Sequence, residues 1–223
     1  MSQVIQGDCL EVLPTLEANQ FDLMIADPPY FLPVVHYQTR MQFRRNFADL
    51  GILESFFKRF FAEVERLVKP TGTFYVFCDG QSYPLFYYYS YFFTKSVRPL
   101  IWDKGTSING FGWRHQHELI LYAEMPDSKP VPTGDGDVLK CQAVPIDKRK
   151  HPAQKPIELV SRFITKSSRE GESVLDPFAG YGTVADACQT LRRASTSIEI
   201  DSTYAEALKK RLLSKQETIL EVS

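Results

Sequence analysis

An apolar run that stops at two consecutive prolines is the feature that most limits how this chain can fold. Phe21 to Ala26 has the length and composition of a buried β-strand, and Asp27-Pro28-Pro29-Tyr30 follows it directly. Because proline has no amide hydrogen, a pair of prolines cannot continue a sheet ladder, and the strand must end there. The sequence therefore predicts a carboxylate and an aromatic ring at the carboxyl end of a buried strand.

Strand-like and helix-like segments alternate along the 223 residues, which predicts a doubly wound α/β fold with a mostly parallel sheet in a single domain. Further strands are expected at Val4–Ile5, Thr73–Cys78, Arg98–Trp102, Glu118–Ala123, Ser173–Leu175 and Ala194–Ile200. Helices are expected at Phe56–Val68 (ended by Lys69-Pro70-Thr71-Gly72), at Tyr83–Phe93, from Pro156 as first helical residue, after Thr183, and at Tyr204–Leu213. The stretches Phe31 to Gly51 and Pro126 to Lys150 lack periodicity; we interpret the first as a mobile loop and the second as a loop or small irregular insertion.

Composition excludes several classes of protein. No apolar run approaches the roughly 18 to 20 residues that span a bilayer, and the N-terminus has no basic region followed by an apolar stretch. The four cysteines are far apart, which favours reduced thiols and offers no zinc site. We therefore expect a cytoplasmic protein that contacts no membrane and binds no metal.

The formal net charge of −1 hides two basic clusters. One contains Arg40, Arg44 and Arg45, and the other contains Lys140, Lys148, Arg149, Lys150 and Lys155. A nearly neutral total is compatible with a basic cleft that holds nucleic acid. Charge alone leaves a second interpretation open, in which both clusters are solvated loops.

Two more strands end in chemically informative residues. Asp176 to Thr183 turns a strand into a helix through Gly180 and Gly182, and Thr183 is placed to cap that helix. This G-x-G turn is weak by itself, since ordinary strand-to-helix turns use it without a ligand. Glu199 ends the next strand, where a carboxylate suits the two hydroxyls of a ribose.

Asp27-Pro28-Pro29-Tyr30 is the sharper motif. The exocyclic nitrogen of adenine is a poor nucleophile, because its lone pair is delocalised into the ring. The Asp27 carboxylate and the Pro28 carbonyl could accept its two hydrogens and return the lone pair to nitrogen. Tyr30 could stack on the base. An ordinary Asp-Pro-Pro turn without a catalytic role would have the same sequence.

Taken together, these residues resemble the amino-methyltransferase family of DNA methyltransferases. Asp27 to Tyr30 is similar to its catalytic tetrapeptide, and Asp176 to Thr183 to its S-adenosylmethionine loop. The catalytic motif precedes the cofactor loop, an order that resembles the β class, as do His151-Pro152-Ala153-Gln154-Lys155-Pro156 and Gly7-Asp8-Cys9. The resemblance implies a circularly permuted, Rossmann-like class I methyltransferase fold. It also implies methyl transfer from S-adenosylmethionine to N6 of an adenine flipped out of double-stranded DNA.

The resemblance also implies roles for individual residues. The methionine part of the cofactor would lie over Gly180 and Gly182, near Thr183 and Lys155, with the ribose at Glu199 and the adenine ring at Asp8 and Cys9. The implied cofactor set also includes Asp27, Asp176 and Phe178. Residues 105–150 match the target-recognition region, with Arg114 and Glu118 in an Arg-x-x-His-Glu pattern. The residues expected to contact DNA are Arg40, Arg44, Arg45, Arg114, Lys148, Arg149 and Lys150.

The chain departs from the family pattern at two positions, and its motifs leave the substrate partly open. Ala153 replaces the more usual threonine, and Tyr181 stands where small residues are common. Cytosine-N4 methylation uses the same geometry, although that family more often has serine where Asp27 stands. Methylation of RNA or protein amines and a non-catalytic DNA-binding subunit are also compatible with this fold. The aromatic run from Tyr83 to Phe93 is interpreted as core or as a subunit contact, which leaves a homodimer open.

Overall fold

The computed structural model describes residues 2–29, 50–105, 113–132, 134–151 and 153–221. Within these residues the helices and strands follow in this order: β1 (Gln3–Gln6), α1 (Cys9–Val12), β2 (Phe21–Ala26), α2 (Leu50–Leu67), β3 (Val68–Cys78), α3 (Tyr83–Tyr91), β4 (Ser96–Asp103), β5 (His117–Glu124), β6 (Val138–Lys140), α4 (Ile157–Ser167), β7 (Ser173–Asp176), α5 (Thr183–Thr190), β8 (Ala194–Glu199) and α6 (Ser202–Glu221). Two short 3-10 turns, Leu13–Thr15 and Ile146–Lys148, complete them.

The strands form one sheet in the order β1-β8-β7-β2-β3-β5-β4-β6. The five strands from β1 to β3 in this order are parallel, β5 is antiparallel to β3 and β4, and β6 is parallel to β4. Helices cover both faces, because neighbouring residues of each buried strand point to opposite sides. Met24 packs in the core that includes α2 and α3, whereas Leu23 packs in the core that includes α4 and α5. The prediction of a doubly wound, mostly parallel α/β sheet is confirmed.

The boundary between α2 and β3 differs from its prediction. The sequence places the end of the helix at Lys69-Pro70-Thr71-Gly72, but α2 ends at Leu67 and these four residues belong to β3. Val68 already pairs with Phe21 of β2, so sheet pairing replaces the expected turn. Gly72 is required there, because a side-chain carbon would lie 2.7 Å from the Asp22 carbonyl oxygen.

Other boundaries shift for local reasons. Residues 126–150, expected to be irregular, contain β6, an edge strand of three residues that is too short to show a period. Pro156 is the N-cap of α4 and not its first helical residue. The last helix is longer than Tyr204–Leu213, and β8 ends at Glu199 and not at Ile200. Of the predicted mobile loop, residues 31–49 lie outside the described part of the chain, and Leu50 and Gly51 begin α2.

Candidate functional site

The sheet order brings four carboxylates to one edge. Gln6 of β1 pairs with Glu199 of β8, Asp176 of β7 with Ser197 of β8, and Met24 of β2 with Leu175 of β7. Because these strands are parallel, Asp8, Glu199, Asp176 and Asp27 follow one another along the carboxyl edge of the sheet. Ligands bind at this edge in open α/β sheets.

Glu199 is held by backbone amides. One carboxylate oxygen accepts a hydrogen bond from the Gly180 amide at 2.6 Å, and the other accepts one from the Asp201 amide at 2.8 Å. Gly180 has φ of +50°, a conformation that favours glycine. The strand-end glutamate and the glycine turn, recognised separately in the sequence, are thus in direct contact.

The second glycine of the turn has a packing reason that the sequence does not reveal. Gly182 has φ of +88°, and a side-chain carbon on it would collide with Cδ1 of Leu208 in α6. Gly182 is also the N-cap of α5, so the prediction that Thr183 caps the helix is wrong. Thr183 is the first helical residue, and its hydroxyl donates to the Lys155 carbonyl at 3.4 Å.

The Asp-Pro-Phe segment before this turn is buried. The side chain of Asp176 accepts a hydrogen bond from the Phe178 amide at 3.1 Å, and Asp176 is 4% exposed. Burial raises the pKa of Asp176 to about 8, and the charges of Asp27 and Glu199 add to the effect. The Phe178 ring packs on Phe60 of α2, with 5.5 Å between ring centroids.

The other end of the edge carries Asp8 and Cys9. Asp8 is the N-cap of α1, and its carboxylate accepts a hydrogen bond from the Leu10 amide at 2.8 Å. Cys9 is buried, and burial raises the pKa of its thiol to about 12. This thiol therefore stays protonated near neutral pH.

Asp27 has a different kind of partner. β2 ends at Ala26, as the two prolines predict, and the Asp27 carboxylate lies 2.8 Å from the Lys155 ammonium through its Oδ2 atom. Burial raises the pKa of Asp27, and the Lys155 charge only partly opposes this. Burial alone would lower the pKa of Lys155, but the charges of Asp27 and Glu118 raise it. We therefore assign a charged ammonium to Lys155 at neutral pH.

His151 covers the glycine turn. Its imidazole ring lies 3.4 Å from the position that a side-chain carbon on Gly180 would occupy, and it meets Tyr204 edge to face at 4.8 Å. Nδ1 accepts a hydrogen bond from the Ala153 amide at 3.2 Å. Burial lowers the pKa of His151. The imidazole thus orders the turn that leads to Lys155.

The candidate DNA contacts are only partly placed. Tyr30, Arg40, Arg44 and Arg45 lie outside the described residues. Arg114, Lys148 and Lys150 are exposed, whereas the Arg149 side chain donates to the Val144 carbonyl at 2.8 Å. Arg114 closely precedes β5, and the start of β5 lies at the same edge as Asp27, because Cys78 at the end of β3 pairs with Leu119 near the start of β5.

A family profile identifies the family of this chain. The profile of the N6/N4 methyltransferase family, described as DNA methylase, matches residues 21–210 and so includes the Asp27 and Asp176 motifs. The chain belongs to this DNA methylase family. The methylase uses S-adenosylmethionine as its methyl donor and DNA as its substrate. The resemblance and the cofactor inferred from sequence are therefore confirmed.

Individual relatives agree with this assignment. The methylase is 29% identical to the Type II methyltransferase M.HpaI of Haemophilus parainfluenzae over 238 residues, 94% of this chain and 74% of the relative. It is 27% identical to M.HinfI of Haemophilus influenzae, over 95% of this chain and 68% of the relative. The structure of M1.HpyAVI with SAM superposes with a TM-score of 0.69 at 25% identity, over 95% of this chain and 100% of that chain. A cytosine-N4-specific PvuII DNA methyltransferase shares the fold, with a TM-score of 0.75 at 16% identity over 93% of this chain and 85% of that chain.

The residues of the edge fit S-adenosylmethionine. Glu199 makes one backbone contact through each oxygen, which leaves lone pairs on both for hydroxyl groups. Gly180 carries no side chain at the turn, so a ligand can approach its backbone. Among the described residues, no group of histidine, cysteine, aspartate and glutamate is arranged to hold a metal ion. No helix in the described ranges is both long and apolar enough to cross a membrane.

Sequence reasoning missed one part of the site. Glu118 was recognised only as a motif position, and Lys104 was not noticed, yet both contact each other and extend the Asp27–Lys155 pair. A usable signal was present, because Glu118 is an acidic residue placed directly before the apolar run Leu119 to Ala123. A charged carboxylate at the start of a buried strand needs a cation or hydrogen-bond donors to compensate it.

Proposed function

We propose that the methylase modifies N6 of an adenine in double-stranded DNA. The observation that carries this proposal is the half-buried Asp27 carboxylate at the end of β2, 2.8 Å from the Lys155 ammonium. An aspartate at this position resembles the adenine-N6 type, whereas the cytosine-N4 type more often has serine. The fold is shared with a cytosine-N4 enzyme, so the fold itself does not choose between the two bases.

Asp27 and Pro28 would act on the target amine. Two acceptors, the Asp27 carboxylate and the Pro28 carbonyl, would accept the two amine hydrogens and localise the lone pair on nitrogen. S-adenosylmethionine supplies the electrophilic methyl group when it is bound. The methylated nitrogen must then release a proton, and burial raises the pKa of Asp27 towards the range in which a carboxylate is a useful base.

Cofactor contacts are assigned along the carboxyl edge. Glu199 would bind the ribose hydroxyls, Asp8 and the backbone of Cys9 the adenine ring, and Lys155 a carboxylate. The turn residues Gly180, Gly182 and Thr183 would face the methionine part, and Asp176 and Phe178 would shape the pocket beneath it. The positive φ of Gly180 and its bond to Glu199 support a common site for turn and glutamate.

DNA contacts are assigned around the same edge. Tyr30 would stack on the flipped adenine, and residues 105–150 would form the target-recognition region within a single methylase domain of residues 1–223. Phosphates would be contacted by the exposed Arg114, Lys148 and Lys150, by Arg149, and by Arg40, Arg44 and Arg45. The Type II names of the relatives favour a role in restriction-modification in the cytoplasm. The exposed rings of Tyr88, Tyr91 and Phe92 on and beside α3 favour a homodimer.

Product analysis tests the proposal. The methylase is incubated with duplex DNA and S-adenosylmethionine labelled in the methyl group, and the DNA is digested to nucleosides and separated. We expect the label in N6-methyldeoxyadenosine. Label in N4-methyldeoxycytidine would contradict the base assignment, and label in RNA or protein but not in DNA would contradict the substrate.

A further inference from the structure

Four half-buried side chains of alternating charge form a continuous chain at the catalytic edge. The Lys104 ammonium lies 2.6 Å from Oε1 of Glu118, Oε2 of Glu118 lies 3.2 Å from the Lys155 ammonium, and Lys155 lies 2.8 Å from Oδ2 of Asp27. The four side chains are between 11% and 22% exposed. We call this set, Lys104, Glu118, Lys155 and Asp27, the charge chain.

The net charge of the charge chain is zero, but its members differ in the number of opposite charges beside them. Two ammoniums alternate with two carboxylates, so each inner member, Glu118 and Lys155, has two opposite charges beside it. Burying an ion is costly unless opposite charges and hydrogen bonds compensate it. Burial would raise the pKa of Glu118, but Lys155 and Lys104 lower it, so Glu118 carries its charge. Removal of Glu118 would leave Lys104 without its carboxylate and Lys155 with Asp27 alone.

The position of Lys155 depends on these contacts. Lys155 precedes α4 and belongs to no helix or strand, so regular backbone structure does not fix its side chain. Its ammonium lies 4.6 Å from the centre of the Phe77 ring, between Asp27 and Glu118. Glu118, by contrast, is in β5, paired with Trp102 of β4. Lys104, which binds Glu118, lies 5.0 Å from the Trp102 ring centre. The sheet thus fixes Glu118, and Glu118 fixes Lys155.

We propose that Glu118 is a positioning residue for methyl transfer, which holds the Lys155 ammonium at Oδ2 of Asp27 and leaves Oδ1 for the target amine, while Lys104 holds Glu118. This proposal rests on the proposed role of Asp27 as acceptor of the amine hydrogens. Because Lys155 would occupy one oxygen only, the direction of the remaining lone pairs of Asp27 is set by residues that do not touch the target base. Misplacing a reacting group by about 1 Å can cost on the order of 100-fold in rate.

The pH dependence of kcat distinguishes a positioning role of Glu118 from a purely electrostatic effect of its charge. The titratable groups that act on Asp27 are Lys155, Glu118, His151 and Asp176. The Glu118 charge itself raises the pKa of Asp27, so its loss with Lys155 still in place would move the acid limb of the kcat profile to lower pH. If loss of Glu118 releases Lys155, Asp27 loses its compensating cation and the acid limb moves to higher pH.

The experiment compares two pairs of substitutions, each of which removes an ion pair of β5. Lys104→Met/Glu118→Met removes one charge of each sign and keeps the volume, so the Asp27–Lys155 pair stays balanced. The matched control is Lys95→Met/Glu124→Met, which removes a 3.7 Å ion pair at the opposite end of the same strand. With DNA and S-adenosylmethionine saturating, we expect the first pair to lower kcat roughly 10- to 100-fold and to move the acid limb to higher pH. The control pair should stay within about threefold of the parent.

A third variant protects the test against a folding failure. Glu118→Gln keeps an acceptor for Lys155 but loses the charge, so we expect an intermediate kcat with Lys155 still in place. Its acid limb should move to lower pH, because the Glu118 charge that raises the pKa of Asp27 is gone. The proposal is overturned if the folded methionine pair turns over within threefold of the parent. It is also overturned if the acid limb of the methionine pair moves to lower pH.

The Asp27→Ala variant distinguishes a failure of this proposal from a failure of the proposed function on which it rests. An active Asp27→Ala variant would contradict the catalytic role of Asp27, whatever Glu118 does. An inactive Asp27→Ala variant beside a fully active methionine pair would contradict only the role of Glu118.

Discussion

The acidic side chains that end β1, β7 and β8 are held by backbone amides, whereas those that end β2 and begin β5 are held by lysines. Asp8, Asp176 and Glu199 accept hydrogen bonds from the amides of Leu10, Phe178, Gly180 and Asp201. Asp27 and Glu118 contact Lys155, which comes from a segment distant in sequence from both. The two halves of the edge therefore fix the same functional group by different means.

The difference matches the roles proposed for the two sets of carboxylates, which are cofactor binding for the first set and methyl transfer for the second. A carboxylate tied to backbone amides of turns keeps its orientation wherever those turns form, which suits the recognition of an unchanging cofactor. A carboxylate tied to a lysine depends on tertiary structure, and its charge and orientation can be tuned by the groups around that lysine. We therefore expect substitutions in the first set to act on affinity and stability, and substitutions in the second set to act on turnover.

The largest expected effect is that of Asp27→Ala. Loss of the acceptor for the amine hydrogens should lower kcat by about 100- to 10,000-fold, while S-adenosylmethionine still binds. Single-turnover transfer to DNA and calorimetric titration of the cofactor product measure the two quantities separately. Glu124→Gln, at the other end of the sheet, is the control. Turnover near the parent level would contradict the proposed catalytic role of Asp27. It would also contradict the proposed difference in role between the amide-held and the lysine-held carboxylates.

Glu199→Ala should act in the opposite way. We expect affinity for S-adenosylmethionine to fall by at least about tenfold, since each charge-assisted hydrogen bond contributes roughly 1.5 to 3 kcal/mol. The saturated rate should change much less. Glu199→Gln keeps an acceptor for the Gly180 amide and should bind with intermediate affinity. Unchanged affinity of the alanine variant in a calorimetric titration would place the ribose contact elsewhere.

Asp176→Asn should change how stability depends on pH. Burial raises the pKa of Asp176 from 3.8 to about 8, so the folded state retains a proton that the unfolded chain releases. Its contribution is fully present below about pH 4 and is lost as the pH rises through about 8. Between pH 5 and 8 the parent should lose about 1 to 3 kcal/mol relative to the non-titrating variant, measured by urea unfolding without cofactor. Parallel stability curves would show that Asp176 is charged in the folded state.

The smallest effect is expected for Lys148→Ala/Lys150→Ala. Both lysines are exposed and lie in the segment between β6 and α4, which also contains Lys155 of the charge chain. DNA affinity should fall equally for all sequences, and the slope of log affinity against log salt should drop by about one for each lost phosphate contact. Lys95→Ala/Lys129→Ala, at the opposite edge, is the control. A parent-like slope in the first pair would move the duplex to another face.

The sequence predicts the strands more reliably than the contacts between them. The run Phe21 to Ala26 forms β2 with the expected bounds, because its prolines and its apolar composition are local properties. β6 was not predicted, because three residues are too few to show a period. The turn predicted after α2 does not form, because Val68 pairs with Phe21 there. Thr183 is not the cap, because the cap position belongs to Gly182, where φ is left-handed and Leu208 of α6 leaves no room for a side chain.

The candidate site likewise combines residues whose positions follow from the sequence with contacts that do not. Asp27, Asp176, Gly180 and Glu199 follow strands or form turns, so their place at one edge follows from the topology of a parallel sheet. The charge chain combines β5, the segment before α4 and the residues that follow β2 and β4, and its contacts depend on which strands become neighbours. No spacing along the chain encodes the 2.6 Å approach of Lys104 to Glu118.

The pairing of β1 with β8 has a consequence for synthesis. Gln3 donates to Thr196 across 193 residues of chain, so β1 cannot complete its side of the sheet until nearly all of that chain has been made. At about 5 to 20 residues per second, this leaves β1 unpaired for roughly 10 to 40 seconds on the ribosome. The strands β2 and β3 and the helix α2 can associate long before. Asp27 thus follows strands that can pair early, and the β1–β8 edge that carries Glu199 is completed last.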